Sequence, residues 1–443
     1  MTAPLVSHLV ATSERRAGFR EAVDLLGRNR DFRRLFIASV ISLGGDWFLF
    51  VAVGALVLEA TGTAISIGLL VLAQDLPVFF ATPWAGWLAD HMDRRRLMIW
   101  CDAARVIVCA AFLLVGPENL WLAYVLLAIL AIFAAAFDPA SSAAIPNVVD
   151  PEDLPIANAL GGSLWGTMLA VGAAVGGIIT AALGHDAAFL IDAASFGASA
   201  LLLLGVRRPF SERDAAQHER VGALEAARET VAYARRDHRV LALISVKFGF
   251  GLAGGVLALI VVLAETVFDA GPVGFGVLLA ARGVGALIGP FIGHRVAGPG
   301  HRRLLAVIAG ALAVFGLGYV AVGAAPTLWV AAAAVMVAHL GGGAQWVLSS
   351  FGLQRIVPDR IRGRIFSFDF ALITLTFSIS AVIASWVADR AGVQEAIQVV
   401  GGLALAWSVI WWLLIRQVRR RPLFDEDLAA AAEPLPDPGP EPV

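Results

Sequence analysis

Apolar residues in this chain fall into long unbroken blocks, not into the stripes of a soluble helix or the alternation of a half-buried strand. A helix needs about 20 mainly apolar residues to cross a hydrocarbon core. A window of about 19 residues finds twelve such blocks: 35–59, 65–89, 97–116, 119–142, 160–183, 185–206, 240–268, 272–297, 302–323, 327–350, 365–388 and 394–416. The pattern predicts an all-α membrane protein of twelve transmembrane helices. Residues 1–34 hold seven Arg and no apolar run, so no cleaved signal peptide is expected. The stretch after Arg421 is acidic and Pro-rich and reads as disordered.

Charge gives the direction of threading. If both termini are cytoplasmic, 29 of the 33 Lys and Arg residues fall in cytoplasmic segments, and the outer loops hold only Arg390. Lys and Arg mark the cytoplasmic side, so the expectation is a multi-pass protein of the cell (inner) membrane with both ends inside. Composition agrees: 59% of residues are hydrophobic and 15% charged, against about 45–50% and about 25% in soluble domains. A net charge of −2 offers no surface for nucleic acid. Cys101 and Cys109 lie in one apolar block and build neither a disulfide framework nor a zinc motif.

The longest charged break divides the chain into near-equal parts. The expected organisation is a cytoplasmic tail (1–34), a six-helix half (35–206), a cytoplasmic linker (207–239), a second six-helix half (240–416) and a cytoplasmic tail (417–443). Equivalent loops look related. Gly86 and Arg95–Arg96 after the second block match Gly293 and Arg302–Arg303 after the eighth, and Asn147–Leu154 resembles Gln354–Ile361. Two pseudo-symmetric halves with a site between them are a common transporter plan.

Longer motifs carry a family resemblance. The loop Gly86-Trp-Leu-Ala-Asp90-His-Met-Asp-Arg94-Arg95 resembles G-x-x-x-D-[RK]-x-G-[RK]-[RK], with His91 and Asp93 departing from it. To it are added Asp138-Pro-Ala with Ala144-Ile-Pro146 and Ala157-Asn158-Ala159, and Phe189-Leu-Ile-Asp192-Ala-Ala-Ser195-Phe196. Gly172-Ala-Ala-Val-Gly176-Gly177 resembles the antiporter pattern G-P-x-x-G-G, with Ala173 in the Pro position. Over nearly all of residues 30–416 the chain resembles the major facilitator superfamily, and in particular its drug:proton antiporter branch that includes macrolide and enterobactin exporters. The resemblance implies the major facilitator fold and export of a small amphiphilic molecule by alternating access, in antiport with protons and without a cofactor.

An ionised group at a helix centre costs roughly 2.5–3.5 kcal/mol on insertion scales, so one found there is functional or paired. Asp46 lies eleven residues into the first block, about 16 Å deep at the helical rise. Asp75 lies ten residues into the second. Both are candidates for proton coupling. Arg105, Lys247 and Arg282 also lie within blocks and are candidate charge partners; which pairs with which stays open.

Gly86, Asp90, Arg94, Asp138 and Asp369 are candidates for a cytoplasmic latch. In it Asp90 would cap the helix beginning near Arg364, Arg94 would pair with Asp138, and Asp369 would join the network. The blander reading is that these arginines only fix topology. Gly172 and Gly176, and Gly285, Gly289 and Gly293, recur every four residues. Such stripes let helix backbones approach closely, and here would bring the fifth and eighth helices together between the halves. Trp165, His339, Gln345 and Trp346 are cavity candidates.

No nucleotide loop of the form G-x-x-x-x-G-K-[ST] occurs, which argues against an ATP-driven pump in this chain. No metal cluster or nucleophile arrangement is visible, so no enzyme is expected. The rival readings are an importer or uncoupled facilitator of the same fold, and a membrane-embedded enzyme or sensor.

Overall fold

The computed structural model describes residues 19–210, 231–298, 300–420 and 423–424, apart from the side chains of 82–83, 85–87, 89–91, 359–360 and 363. Helices make up nearly all of it, and no strand occurs among the described residues. Eleven helical elements are long and apolar enough to cross a membrane. One of them, Leu154–Leu204, holds two crossings parted at Gly184, whose φ of 83° and ψ of 173° suit glycine alone. Gly44 faces Gly172 while Gly45 faces Asp192, so both arms lie against the same level of the first helix and the chain doubles back between them.

The twelve crossings are α1 (Arg30–Thr61), α2 (Ala64–His91), α3 (Arg94–Ala111), α4 (Trp121–Val148), α5 (154–183), α6 (185–204), α7 (His238–Val267), α8 (Gly271–Ala297), α9 (His301–Gly323), α10 (Leu328–Ile356), α11 (Asp359–Ala391) and α12 (Val393–Leu414). Several run beyond their apolar blocks because polar residues extend the helix to a cap. At α1, Asn29 accepts the Phe32 N–H at 2.9 Å and donates to the Val148 carbonyl at 2.8 Å.

Arginines gather at one end of the bundle, and several close helix ends there. Arg34 donates to the Gly205 carbonyl. Arg95 donates to the carbonyls of Leu203, at 2.9 Å, and Leu204. The last carbonyls of α6 have no partner within their own helix, so these side chains fix the helix as well as the charge bias. At the same end Leu423 and Phe424 are buried, with Arg239 donating to the Leu423 carbonyl at 3.0 Å and Arg355 over the Phe424 ring. Residues 425–443 of the tail and 211–230 of the linker lie outside the described residues.

The first six helices meet the last six along two seams, α5 on α8 and α2 on α11. The first seam joins the expected pair of helices through other residues. Gly172 and Gly176 face α1, where an added Cβ would lie 2.6 Å from the Gly44 carbonyl oxygen and 2.8 Å from Phe48 Cα. Gly285, Gly289 and Gly293 face α10 at Met336, Leu340 and Ala344. The crossing is made by Gly166, Ala170, Ala173 and Gly177 against Gly283, Gly276 and Pro272. Adjacent helix positions differ by about 100°, so Gly176 and Gly177 serve different neighbours. At the end away from the arginines, both carboxylate oxygens of Asp389 on α11 accept the first N–H groups of α2, from Ala64 at 2.7 Å and Ile65 at 3.0 Å.

Candidate functional site

Among the first six helices a buried arginine lies near four carboxylates, of which two are buried, Asp46 is half-buried and Asp138 is exposed. Arg105 and Asp102 on α3 are fully buried, and Asp192 on α6 is 1% exposed. The Arg105 guanidinium lies between the rings of Phe137 and Phe196 and donates to Ser42 at 2.9 Å, with Asp102 at 3.8 Å. Asp46, Asp102 and Asp138 lie within its electrostatic reach. Asp46 also lies within electrostatic reach of Asp192. Asp192 accepts the Cys109 thiol at 3.2 Å and the Ser195 hydroxyl at 3.1 Å. A Cβ on Gly45 would sit 2.0 Å from Asp192 Oδ1, so α1 comes this close only where the side chain is absent.

A cavity of about 410 Å³ adjoins this cluster. It is lined by the first part of α1, the last part of α4 and the first part of α5, the segments next to the arginine-rich end. Asp138, Ser42 and Trp165 belong to its wall, with Phe32, Phe36, Ser39, Ser141 and Asn158. Asp138 is thus common to the cavity and to the field of Arg105.

Of the charges whose pairing the sequence leaves open, Asp46 lies within electrostatic reach of Arg105, and Asp75 of Arg282. Neither approaches within the 4.0 Å of a direct ion pair. Arg282 on α8 reaches across the seam, with its guanidinium 6.0 Å from the Trp47 ring and 5.7 Å from the Trp165 ring. Lys247 instead pairs with Asp369, deep among the last six helices, and donates to Ser350 at 2.9 Å.

The expected pair of Arg94 with Asp138 is not made. Arg94 donates to the carbonyls of Ala143 at 2.9 Å and Phe210 at 3.3 Å, while Asp138 points to the cavity and Arg105. The surroundings of Gly86 and the side chain of Asp90 lie outside what the structure describes. Of the cavity candidates, Trp165 lines the cavity. His339 is buried, bonded to the Tyr319 hydroxyl at 2.7 Å and set among Phe250 and Phe315. Gln345 is fully buried, and Trp346 carries Lys247 over its ring at 5.0 Å. Asp102 and Asp192 were not anticipated as site residues. Scanning the apolar blocks for acids as well as bases finds both, and Asp192 already stands in a family motif. Among the described residues no group of His, Cys, Asp and Glu is arranged to hold a metal ion.

The family model described as "Transmembrane secretion effector" matches residues 27–439. Macrolide efflux protein A of Streptococcus pyogenes is 24% identical over 402 residues, covering 88% of this chain and 96% of its own length. The multidrug efflux pump Tap of Mycobacterium tuberculosis is 31% identical over 182 residues, 39% of this chain and 43% of Tap. The MFS-type transporter YfiS of Bacillus subtilis is 26% identical over 214 residues, 48% of this chain; the match spans about half of YfiS, 51%. Among solved structures, a POT family transporter in complex with 5-aminolevulinic acid superposes with a TM-score of 0.72 at 10% identity, over 92% of this chain and 99% of that one. A bacterial homologue of the human lysosomal transporter Spinster gives 0.68 at 14% identity, over 90% and 98%.

Proposed function

Because the chain belongs to the transmembrane secretion effector family of major facilitator transporters, we propose that it exports a small amphiphilic molecule across the cell membrane in exchange for protons. The arginine-rich end is then cytoplasmic, and the cavity beside it receives cargo from inside.

The observation that carries this reading is the charge count around Arg105. One guanidinium lies within electrostatic reach of Asp46, Asp102, Asp138 and Asp192. Uncompensated buried ions cost several kcal/mol each. Asp102 and Asp192 are buried and Asp46 half-buried beside one cation, while Asp138 is exposed; the three enclosed carboxylates cannot all be ionised in a low-dielectric interior, and protons balance the remainder. Asp138 is the cluster member on the cavity wall, so protons exchange there with water that enters from the cytoplasmic side. Asp46 lies on α1, beside the α5–α6 hairpin, and links this exchange to movement of the first half against the second. Drug export by two relatives, macrolide efflux protein A and Tap, supports the direction.

Gradient-driven transport tests this. In proteoliposomes with an imposed pH gradient, Asp46→Asn is expected to abolish concentrative movement of ethidium or a macrolide. Expression and gradient-free counterflow should be retained. Wild-type gradient-driven rates in that variant would remove Asp46 from the scheme, and a wild-type protein indifferent to the gradient would make it a facilitator.

A further inference from the structure

Arg282 has no acceptor for part of its guanidinium. The residue is 5% exposed, yet its Nη1 is buried without a hydrogen-bond partner, and so is the indole Nε1 of Trp47 beside it. Trp47 and Trp165 meet edge to face, 5.9 Å apart, and both rings flank the guanidinium. Two unpartnered donors, one from each half, thus lie close together at the seam. A buried donor left unpaired costs about 1–3 kcal/mol, so this arrangement is complete only when something supplies the acceptor. The neighbouring side chains do not. Tyr319, bonded to His339 at 2.7 Å, makes no hydrogen bond to Arg282 Nη1, and Asp75 stays beyond ion-pair distance while remaining within electrostatic reach.

We propose that Arg282 and Trp47 form a cargo seat for a neutral carbonyl oxygen carried on a flat apolar body, which rests on Trp165. Trp165 is 44% exposed and belongs to the wall of the 410 Å³ cavity, a size usual for small-ligand sites, so it links that cavity to the two donors buried behind the wall. Asp75 lies within electrostatic reach of Arg282, and an anionic cargo group would have to share that field with it, so the seat is assigned to a dipole. Because Arg282 comes from α8 and both tryptophans from α1 and α5, an occupant joins the halves at the seam that must open and close. The inference rests on the reading of the chain as a transporter of small amphiphiles, and it names the group by which the cargo is held.

Three naphthalenes of one shape test the seat: 2-acetylnaphthalene, 2-ethylnaphthalene and 2-naphthoate. Binding to the full chain in lipid nanodiscs is measured by equilibrium dialysis, with empty nanodiscs subtracted. The acetyl compound is expected to bind at least about tenfold tighter than the ethyl compound, the worth of a hydrogen bond to a charged donor. Arg282→Met should bring that ratio close to one. Trp47→Phe, which keeps the ring and removes only the N–H, should lower the ratio about fivefold, and it serves if the Arg282 variant fails to fold. Equal binding of the acetyl and ethyl compounds in the wild type, or a ratio that survives both substitutions, overturns the seat. Tighter binding of naphthoate than of the acetyl compound overturns the neutral assignment. No gradient is present, so this outcome is independent of the Asp46→Asn transport test.

Discussion

Gly177→Ala places a methyl group where the two halves touch. Its Cβ would lie 2.4 Å from the Pro272 carbonyl oxygen and 3.3 Å from Gly276 Cα, where ordinary contact begins at 3.4 Å. The obstructing atoms are backbone, so no side chain can swing aside, and α5 and α8 must separate by about 1 Å at that level. Overpacking of this kind costs about 1–3 kcal/mol. The cost falls on the state in which the end away from the arginines is closed. Each 1.4 kcal/mol is a factor of ten, so the closed fraction should fall relative to the open one by roughly 5- to 150-fold. Spin labels at Leu183 and Val273, both exposed near that end, report the separation, and the native Cys101 and Cys109 are buried. Gly172→Ala is the matched control. It meets the Gly44 carbonyl oxygen at 2.6 Å, but within the first half. It should lower thermal stability and leave the distance populations as they were. A folded Gly177→Ala protein with the wild-type distance distribution, or a Gly172→Ala protein that shifts it equally, would refute the assignment of these faces.

Two further outcomes follow from helix ends. Asp389→Ala removes the carboxylate that caps α2 from α11. A lost cap costs about 1 kcal/mol, so the same spin-label distance should shift toward the open population by about fivefold; an unchanged distribution would show that the cap contributes nothing to closure. Asp237 caps α7 outside the membrane. Burial works to raise its pKa, but hydrogen bonds and charge from Arg239 outweigh that and hold it below the ordinary 3.8. The stability it contributes is therefore present above about pH 4 and lost as pH falls through the lowered value. Asp237→Asn should lower the melting temperature near neutrality and flatten the acid side of the profile, so that variant and wild type converge as pH falls below about 4, which a pH series of thermal melts will check.

The twelve crossings were legible because a lipid-spanning helix must be apolar over its whole length, and that constraint is local in the chain. The fifth and sixth were separable because Gly184 lies between them. Which face of each helix meets which neighbour is not local. The stripe Gly172–Gly176 and the neighbouring position Gly177 look alike in sequence, yet one packs on α1 and the other on α8. Charged residues behaved in the same way. Depth singled out Asp46, Asp75, Arg105, Lys247 and Arg282 from position alone, but the placing of Asp46 within reach of Arg105 and the pairing of Lys247 with Asp369 depend on packing between helices far apart in the chain. Asp138 read as a latch residue because it lies near the arginine-rich loops, whereas its side chain turns to the cavity.

The buried charges of the two halves differ in balance, and that difference separates a structural pair from a proton-exchanging cluster. Lys247 and Asp369 compensate each other one to one, with side chains 1% and 4% exposed and the ammonium also held by Ser350 and the Trp346 face. Such a pair needs no proton and has none to release. Removing one member leaves an unpaired ion in lipid-embedded protein, so Lys247→Met or Asp369→Leu alone should cost about 3–5 kcal/mol. Replacing both at once should recover the loss, because apolar side chains of similar volume substitute for a buried pair without penalty or with gain. Melting in nanodiscs reads the stability, and gradient-driven transport reads the function. If Asp369 acts only through Lys247, the double variant transports at wild-type rates. No equivalent rescue is expected for Arg105→Met with Asp46→Leu, because Asp102, Asp138 and Asp192 would remain without their cation. A double Lys247→Met, Asp369→Leu protein that melts normally yet no longer transports would place Asp369 in the gating network and not in a passive pair.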